Sequence, residues 1–302
     1  MNKARKFKVS VIMNVHNGEE YIEEAILSVI KQKYQNWELI IWDNKSIDKT
    51  SLIISKFKDR RIKYFKSDQF DKLYLARNKA INKSEGELIS FLDSDDLWLP
   101  NKLSSQIEIM YNNKIDFCFS NYYQIGKRGL NIFSKKAFRN LPSGKIYSRI
   151  INYYNVGILT LCIRKEILLR ENISFDTRFS IIGDFVLVLE LSKKGIAYAD
   201  QKCLACYRSH ENNLSKRKML QVREMRTWFN DLKKEDKLDL KELRNIISLA
   251  NYHRAIGLAH KLTFFQIIKI TLSINNCLLM IRFLIFFMIK VLPIRKSLRK
   301  FK

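Results

Sequence analysis

Gly86-Glu87-Leu88-Ile89-Ser90-Phe91-Leu92-Asp93-Ser94-Asp95-Asp96 is the stretch whose reading decides the fold. Leu88 to Leu92 is a short, nearly unbroken apolar run, bounded by Gly86 before it and by carboxylates after it. Such a run reads as a strand covered on both faces, at the centre of an α/β sheet. Three acids then follow within four residues, at the strand's C-terminal end, where open α/β sheets bind their ligands. Like charges this close repel one another, and a carboxylate cluster beside a buried strand is costly unless something compensates it. A hard divalent cation bridging to a phosphorylated ligand would do so, because Mg²⁺ and Mn²⁺ favour carboxylate and phosphate oxygens. The same acids would also serve as a turn before the helix that begins near Pro100, and the surrounding chain has to decide between these readings.

On the N-terminal side, Val9 to Val15 reads as a buried strand. Asn17 with Glu20 three residues later predicts a capped helix start, followed by Ile22, Ala25, Ile26, Val29 and Ile30 at helical spacing. Trp37 to Trp42 predicts a second strand ending at Asp43, with Asp48 capping a helix through Phe57. Ile62 to Phe65 predicts a third strand, and Tyr74 to Lys83 a helix. On the C-terminal side, the helix from Pro100 carries Leu103, Ile107 and Met110 on one face, and Asp116 to Ser120 reads as a strand. Ile163 to Arg170 reads as helical, Gly183-Asp184 opens a helix through Lys194, and Ala197 to Tyr207 holds short strands. Strands alternating with helices predict an α/β fold, a doubly wound and mostly parallel sheet flanked by helices. Asp43 and the Asp93 cluster then share one edge of that sheet.

The chain has 302 residues, enough for a large domain with an extension, and its 47% hydrophobic content with only 3 Pro and 9 Gly excludes disorder. The net charge of +25 implies a polyanionic partner: nucleic acid, an anionic membrane surface or a phosphorylated substrate. No helix-turn-helix, zinc-finger spacing or RNP aromatic motif accompanies that charge, so no nucleic-acid partner is expected. A metal-dependent nucleotidyltransferase would suit Asp93-Ser94-Asp95, but no Gly-rich phosphate loop precedes it. Five cysteines without framework spacing suit a reducing compartment, and Cys203-x-x-Cys206 lacks the second pair that a structural zinc site needs. Val9 to Val15 is too short for a signal-peptide core, so the expected location is cytoplasmic.

Beyond Asn213 the pattern is helical, and after Glu242 it contains no acid at all. The expected division is therefore a catalytic domain over residues 1–212 and a basic helical region over 213–302. Phe264 to Leu292 is apolar with Lys269, Arg282 and Lys290 spaced through it. That pattern suits a helix lying in the headgroup region of an anionic membrane, peripheral on its inner face, better than the alternatives it leaves open, a tilted span from about Ile267 or an ordinary buried helix pair.

Four pieces then resemble, in order and with normal spacing, the family 2 glycosyltransferases. Val9 to Gly18 (VSVIMNVHNG) is similar to that family's "VSVIMPVYNG", and Glu38 to Ser46 (ELIIWDNKS) to "ELIIVDDGS". Ala76 to Ile81 (ARNKAI) is similar to "ARNxGI", and Gly86 to Asp96 to "GEYIxFLDxDD". The resemblance implies a GT-A fold, a nucleotide-sugar donor and a divalent Mn²⁺ or Mg²⁺. It implies transfer with inversion to a glycan or lipid-linked acceptor in bacterial surface-polysaccharide synthesis. By the same resemblance Val15, Asp43, Arg77, Asp93, Ser94 and Asp95 would bind the donor. Asp95 or Asp96, with His210 of an "RxH" piece, would hold the metal, and Asp184 would be the catalytic base. Departures from the family pattern are Asn14 for Pro, His16 for Tyr, Asn44 for the second Asp of the pair, and Gly183 for Glu before the base. The chemistry asks for little more: a carboxylate takes the proton of the attacking hydroxyl, and the leaving diphosphate is neutralised.

Overall fold

A computed structural model of the chain describes residues 6–127, 135–138 and 140–234. Its strands are β1 (Val9–Val15), β2 (Trp37–Asp43), β3 (Ile62–Lys66), β4 (Leu88–Phe91), β5 (Leu97–Trp98), β6 (Phe117–Ile125), β7 (Lys135–Lys136), β8 (Cys162–Arg164) and β9 (Ala197–Arg208). Among the described residues these form one sheet in the order β3-β2-β1-β4-β8-β6-β9-β5, with β7 on β6. β3, β2, β1 and β4 run parallel, β8 is antiparallel to both β4 and β6, and β6 pairs in parallel with β9. The doubly wound expectation therefore holds for the first half, and the second half is mixed.

The helices are α1 (Ile22–Ile30), α2 (Thr50–Ser55), α3 (Leu73–Asn82), α4 (Lys102–Met110), α5 (Tyr147–Asn152), α6 (Lys165–Arg170), α7 (Gly183–Lys194) and α8 (Lys218–Lys234). Alternate β1 residues Val9, Val11, Met13 and Val15 enter a core with Ile22, Ile26 and Val29 of α1 and Leu103, Ile107 and Met110 of α4. The other face of β1 meets α3, as two-residue alternation requires of a strand covered on both sides. At Gly86 a Cβ would lie 2.6 Å from the Ser10 backbone nitrogen, so only glycine lets β4 begin this close to β1.

Three local expectations are corrected. Asn17 does not cap α1: with φ 53° it turns its Oδ1 to the Ile47 N–H at 2.9 Å, and α1 starts at Ile22 without a side-chain cap. Residues 163 and 164 belong to β8 rather than to a helix, because β8 fills the gap between β4 and β6. Ala197 to Arg208 is one long strand, β9, instead of several short ones. Asp48 does accept the Thr50 N–H at 3.0 Å, as its place before α2 predicts.

Packing divides the chain into one unit of residues 1–147 and 155–211, and a second of 148–154 and 212–302. The described part of the second unit holds most of α5, a 3₁₀ turn at Leu214–Lys216 and α8. No helix among the described residues is long and apolar enough to cross a membrane. The expected interfacial segment, 264–292, lies outside the described residues.

Candidate functional site

The parallel register sets the site. Val15 is opposite Asp43 in the β1–β2 pair, and Ile12 is opposite Phe91 in the β1–β4 pair, so the ends of β1, β2 and β4 deliver Val15, Asp43 and the Asp93–Asp96 loop to one edge. Val15 is buried and its carbonyl accepts the Asn44 N–H at 2.8 Å. Asp43 is fully buried, and its carboxylate accepts Ser46 N–H at 2.8 Å and Tyr64 O–H at 2.6 Å. Ser94 lies against Gly18, in the loop that follows β1.

The departures from the family pattern have local reasons. Asn44 donates its amide to the Asp71 carbonyl at 2.7 Å and accepts the Asp71 N–H at 2.9 Å, a paired contact that an aspartate could not complete. His16 Nδ1 contacts the Asn44 carbonyl at 2.9 Å, which makes Nδ1 the protonated nitrogen, and its ring meets Phe70 edge-on at 4.7 Å. Lys45, at the glycine of "DDGS", adopts φ 64°.

β5 supplies the contact that the sequence pattern does not reveal. Its antiparallel register, Leu97 to Cys206, zips the acidic loop onto the end of β9. His210 Nε2 then lies 2.7 Å from Asp95 Oδ2. Asp96, the alternative ligand, is 2% exposed and turned inward, where it accepts the Arg208 N–H at 2.8 Å. Arg208 is itself fully buried, with Nε on the Asp95 carbonyl at 2.8 Å, Nη1 on Lys127 O at 2.6 Å and Nη2 on Glu24 at 2.7 Å. Its guanidinium also stacks over Tyr21, 4.6 Å from the ring centroid, and Tyr21 leans on His210 at 5.4 Å. Arg208 and Tyr21 therefore organise the acidic loop; the only sequence signal for Arg208 was its place in Arg208-Ser209-His210.

Burial, followed by repulsion from Asp93, raises the pKa of Asp95 above its ordinary value, and His210 pulls the other way. Burial and the charges of Asp95 and Asp93 push Asp96 well up. Clustered acids with raised values are groups that a nearby cation would relieve. Among the described residues no group of three or more His, Cys, Asp or Glu forms a ready-made metal cage. One carboxylate oxygen and one imidazole nitrogen nevertheless fit a Mn²⁺ or Mg²⁺ that takes its other ligands from diphosphate and water.

The rest of the site hangs on Arg77 of α3, 3% exposed, whose Nη2 pairs with Asp93 Oδ1. Its guanidinium lies against the stacked rings of Tyr74 and Phe175, at 5.5 and 5.6 Å from their centroids. Asp184, in the first turn of α7, is partly buried; burial raises its carboxyl to about 6, with Arg77 opposing the rise. Asp176 is a weaker base, because burial is outweighed by Arg178, whose Nη2 clamps it at 2.6 Å and holds it below the usual range.

This fold and this edge of carboxylates define a class, the GT-A glycosyltransferases that use nucleotide-sugar donors. Residues 10–171 match the sequence profile "Glycosyl transferase family 2". The chain belongs to glycosyl transferase family 2, whose members invert the anomeric centre. It is 33% identical over 224 residues, 74% of this chain and 84% of the relative, to the UDP-Glc:alpha-D-GlcNAc-diphosphoundecaprenol beta-1,3-glucosyltransferase WfgD of Escherichia coli. It is also 33% identical over 73% of its length to 86% of the putative teichuronic acid biosynthesis glycosyltransferase TuaG of Bacillus subtilis (strain 168). Among solved structures, S. aureus TarS 1–349 in complex with UDP-GlcNAc superposes with a TM-score of 0.66 at 20% identity, over 88% of this chain and 79% of that one. The mannosyltransferase PcManGT from Pyrobaculum calidifontis, in complex with GDP-Man and Mn²⁺, shares the fold with a TM-score of 0.57 at 11% identity, over 95% of this chain and 88% of that one.

Proposed function

We propose that this enzyme moves a sugar from a nucleoside diphosphate to a hydroxyl of a lipid-linked glycan in bacterial surface-polysaccharide synthesis, with Asp184 as general base. The observation that carries the reading is Arg77, a buried cation that pairs with Asp93, on the ribose side of the donor, and opposes the rise in the Asp184 carboxyl. It couples the donor end of the site to the carboxylate that takes the acceptor's proton. Val15, Asp43, Arg77, Asp93 and Ser94 line the donor side. Tyr64 bonds to Asp43, and His16 on the carbonyl of the neighbouring Asn44 carries Phe70 against its ring, in the region where the base would lie.

Asp95 and His210 would hold the divalent ion, and Asp96, whose carboxylate is engaged with Arg208, would brace the loop. Once bound, the ion would supply Lewis-acid neutralisation of the charge that grows on the leaving diphosphate. The relatives' names support the acceptor class: one acts on a diphosphoundecaprenol-linked sugar, the other in teichuronic acid synthesis. A lipid-linked acceptor and a net charge of +25 both favour work at the anionic inner face of the cell membrane. Asp95→Ala should abolish Mn²⁺-dependent binding of UDP or GDP in a calorimeter. Undiminished binding would move the ion to Asp96 or remove it from the reading.

A further inference from the structure

Gly183 and Tyr74 are complementary shapes. A Cβ on Gly183 would lie 2.5 Å from two carbons of the Tyr74 ring and 2.7 Å from a third. The ring has nowhere to go: Tyr74 is 2% exposed, stacked on Phe175 at 5.2 Å and 15°, with the Arg77 guanidinium against it. The Tyr74 hydroxyl donates to the Ile181 carbonyl at 2.9 Å and lies 3.5 Å from Asp184 Oδ1. The start of α7 has no side-chain cap, and Asp184 Oδ1 accepts the N–H of its own neighbour Phe185 at 2.8 Å. The direction of the Asp184 carboxylate therefore depends on the backbone just before it, which the Tyr74 hydroxyl grips.

We infer that Tyr74 is a positioning residue for Asp184: its ring takes the space of a side chain at 183, and its hydroxyl fixes the turn that aims the carboxylate. The inference rests on the reading of Asp184 as the base. Tyr74 is not itself that base, because burial and then the Asp184 carboxylate push its phenol well above the ordinary range, so it stays protonated and donates. The charged and titratable groups nearest Asp184 are Arg77 and Tyr74, both on α3 and three residues apart, and Asp93 after β4. α3 thus presents a cation and a hydroxyl to one carboxylate.

The test needs no donor or acceptor. Carboxyl ¹³C NMR of the full chain, with the Asp184 resonance identified by its loss in Asp184→Asn, gives the titration midpoint of that group. Tyr74→Phe keeps the ring and removes the hydroxyl's hold on the Ile181 carbonyl, so the turn relaxes, the carboxylate loses its alignment with the Phe185 N–H and Arg77, and the midpoint should rise by about half a unit. An unchanged midpoint overturns the inference. Thermal unfolding supplies the second arm. Gly183→Ala should lower the transition temperature, and most of that loss should vanish in a Tyr74→Leu background. An equal loss in both backgrounds would mean that the two residues are not a unit, and would overturn it as well. Undiminished turnover in Asp184→Asn would instead sink the base reading while the Tyr74-dependent midpoint stood.

Discussion

At the scale of the residue, the proposed mechanism turns on Asp184, whose carboxyl burial raises to about 6 against the pull of Arg77. A general base works deprotonated, so turnover should rise with pH through about 6 and level off above it. Asp184→Asn should cut turnover by about 10²–10⁴-fold while nucleoside-diphosphate binding survives, read by steady-state kinetics beside calorimetry. Its effect on stability has the opposite sense. The folded value lies above the ordinary 3.8, so the group favours folding fully below 3.8 and loses that contribution as pH rises through 6. A neutral Asn should therefore leave the fold at least as stable at pH 7. Lys45 provides a second residue-scale case. A lysine at φ 64° bears the left-handed penalty that glycine escapes, so Lys45→Gly should stabilise the fold by roughly 0.5–1 kcal/mol in urea unfolding. A loss of stability would show that the lysine side chain holds the loop.

At the scale of the element, the sheet has a working edge and a fastened edge. At the fastened one, Glu38 in β2, 2% exposed, accepts Ser10 O–H at 2.5 Å and the Glu85 N–H at 2.7 Å. Lys8 and Lys63 reach it at 3.1 and 2.8 Å, which joins the starts of β1, β2, β3 and β4. Burial works against the charge, but Lys63, Ser10 and their neighbours win and draw the carboxyl down to about 2. Its stabilising effect is complete above the ordinary 4.5 and fades as pH falls through about 2. Glu38→Gln should cost about 2 kcal/mol at pH 7, the half-exposed lysines keeping the figure modest, and the cost should shrink at pH 3. A loss independent of pH would mean that packing, and not charge, is what Glu38 supplies. Most elements were legible because their periodicity is strong. β5 was not: two residues carry no pattern, and only the partner strand β9 makes Leu97 and Trp98 a strand. Ile163 and Arg164 read as helix for a similar reason, since the pull of β4 and β6 on them is non-local.

At the scale of the whole molecule, charge is the dominant feature, and it is uneven. Acids are absent after Glu242, and the stretch from Phe264 joins apolar residues to Lys and Arg. We expect removal of residues 265–302 to release the enzyme from vesicles containing phosphatidylglycerol, while high salt weakens binding of the full chain only in part. Failure of the full chain to float with such vesicles at low salt would overturn the peripheral-membrane reading. A complete loss in salt would reduce the attachment to electrostatics alone.

The sequence by itself determined the alternation of strands and helices, the central buried strand and the family. It also supplied the candidate acids, because apolar periodicity and motif order are written locally. Tertiary structure alone decided which way each acid turns. Asp95 faces His210 and Asp96 faces inward, because β5 pairs with β9 across more than a hundred residues of chain and so holds the acidic turn, closed by the Asp96 N–H on the Asp93 carbonyl at 3.1 Å, against Arg208 and His210. Tyr74 became visible only when α3 was laid against the start of α7, since no spacing in the sequence records that a ring occupies the space beside Gly183.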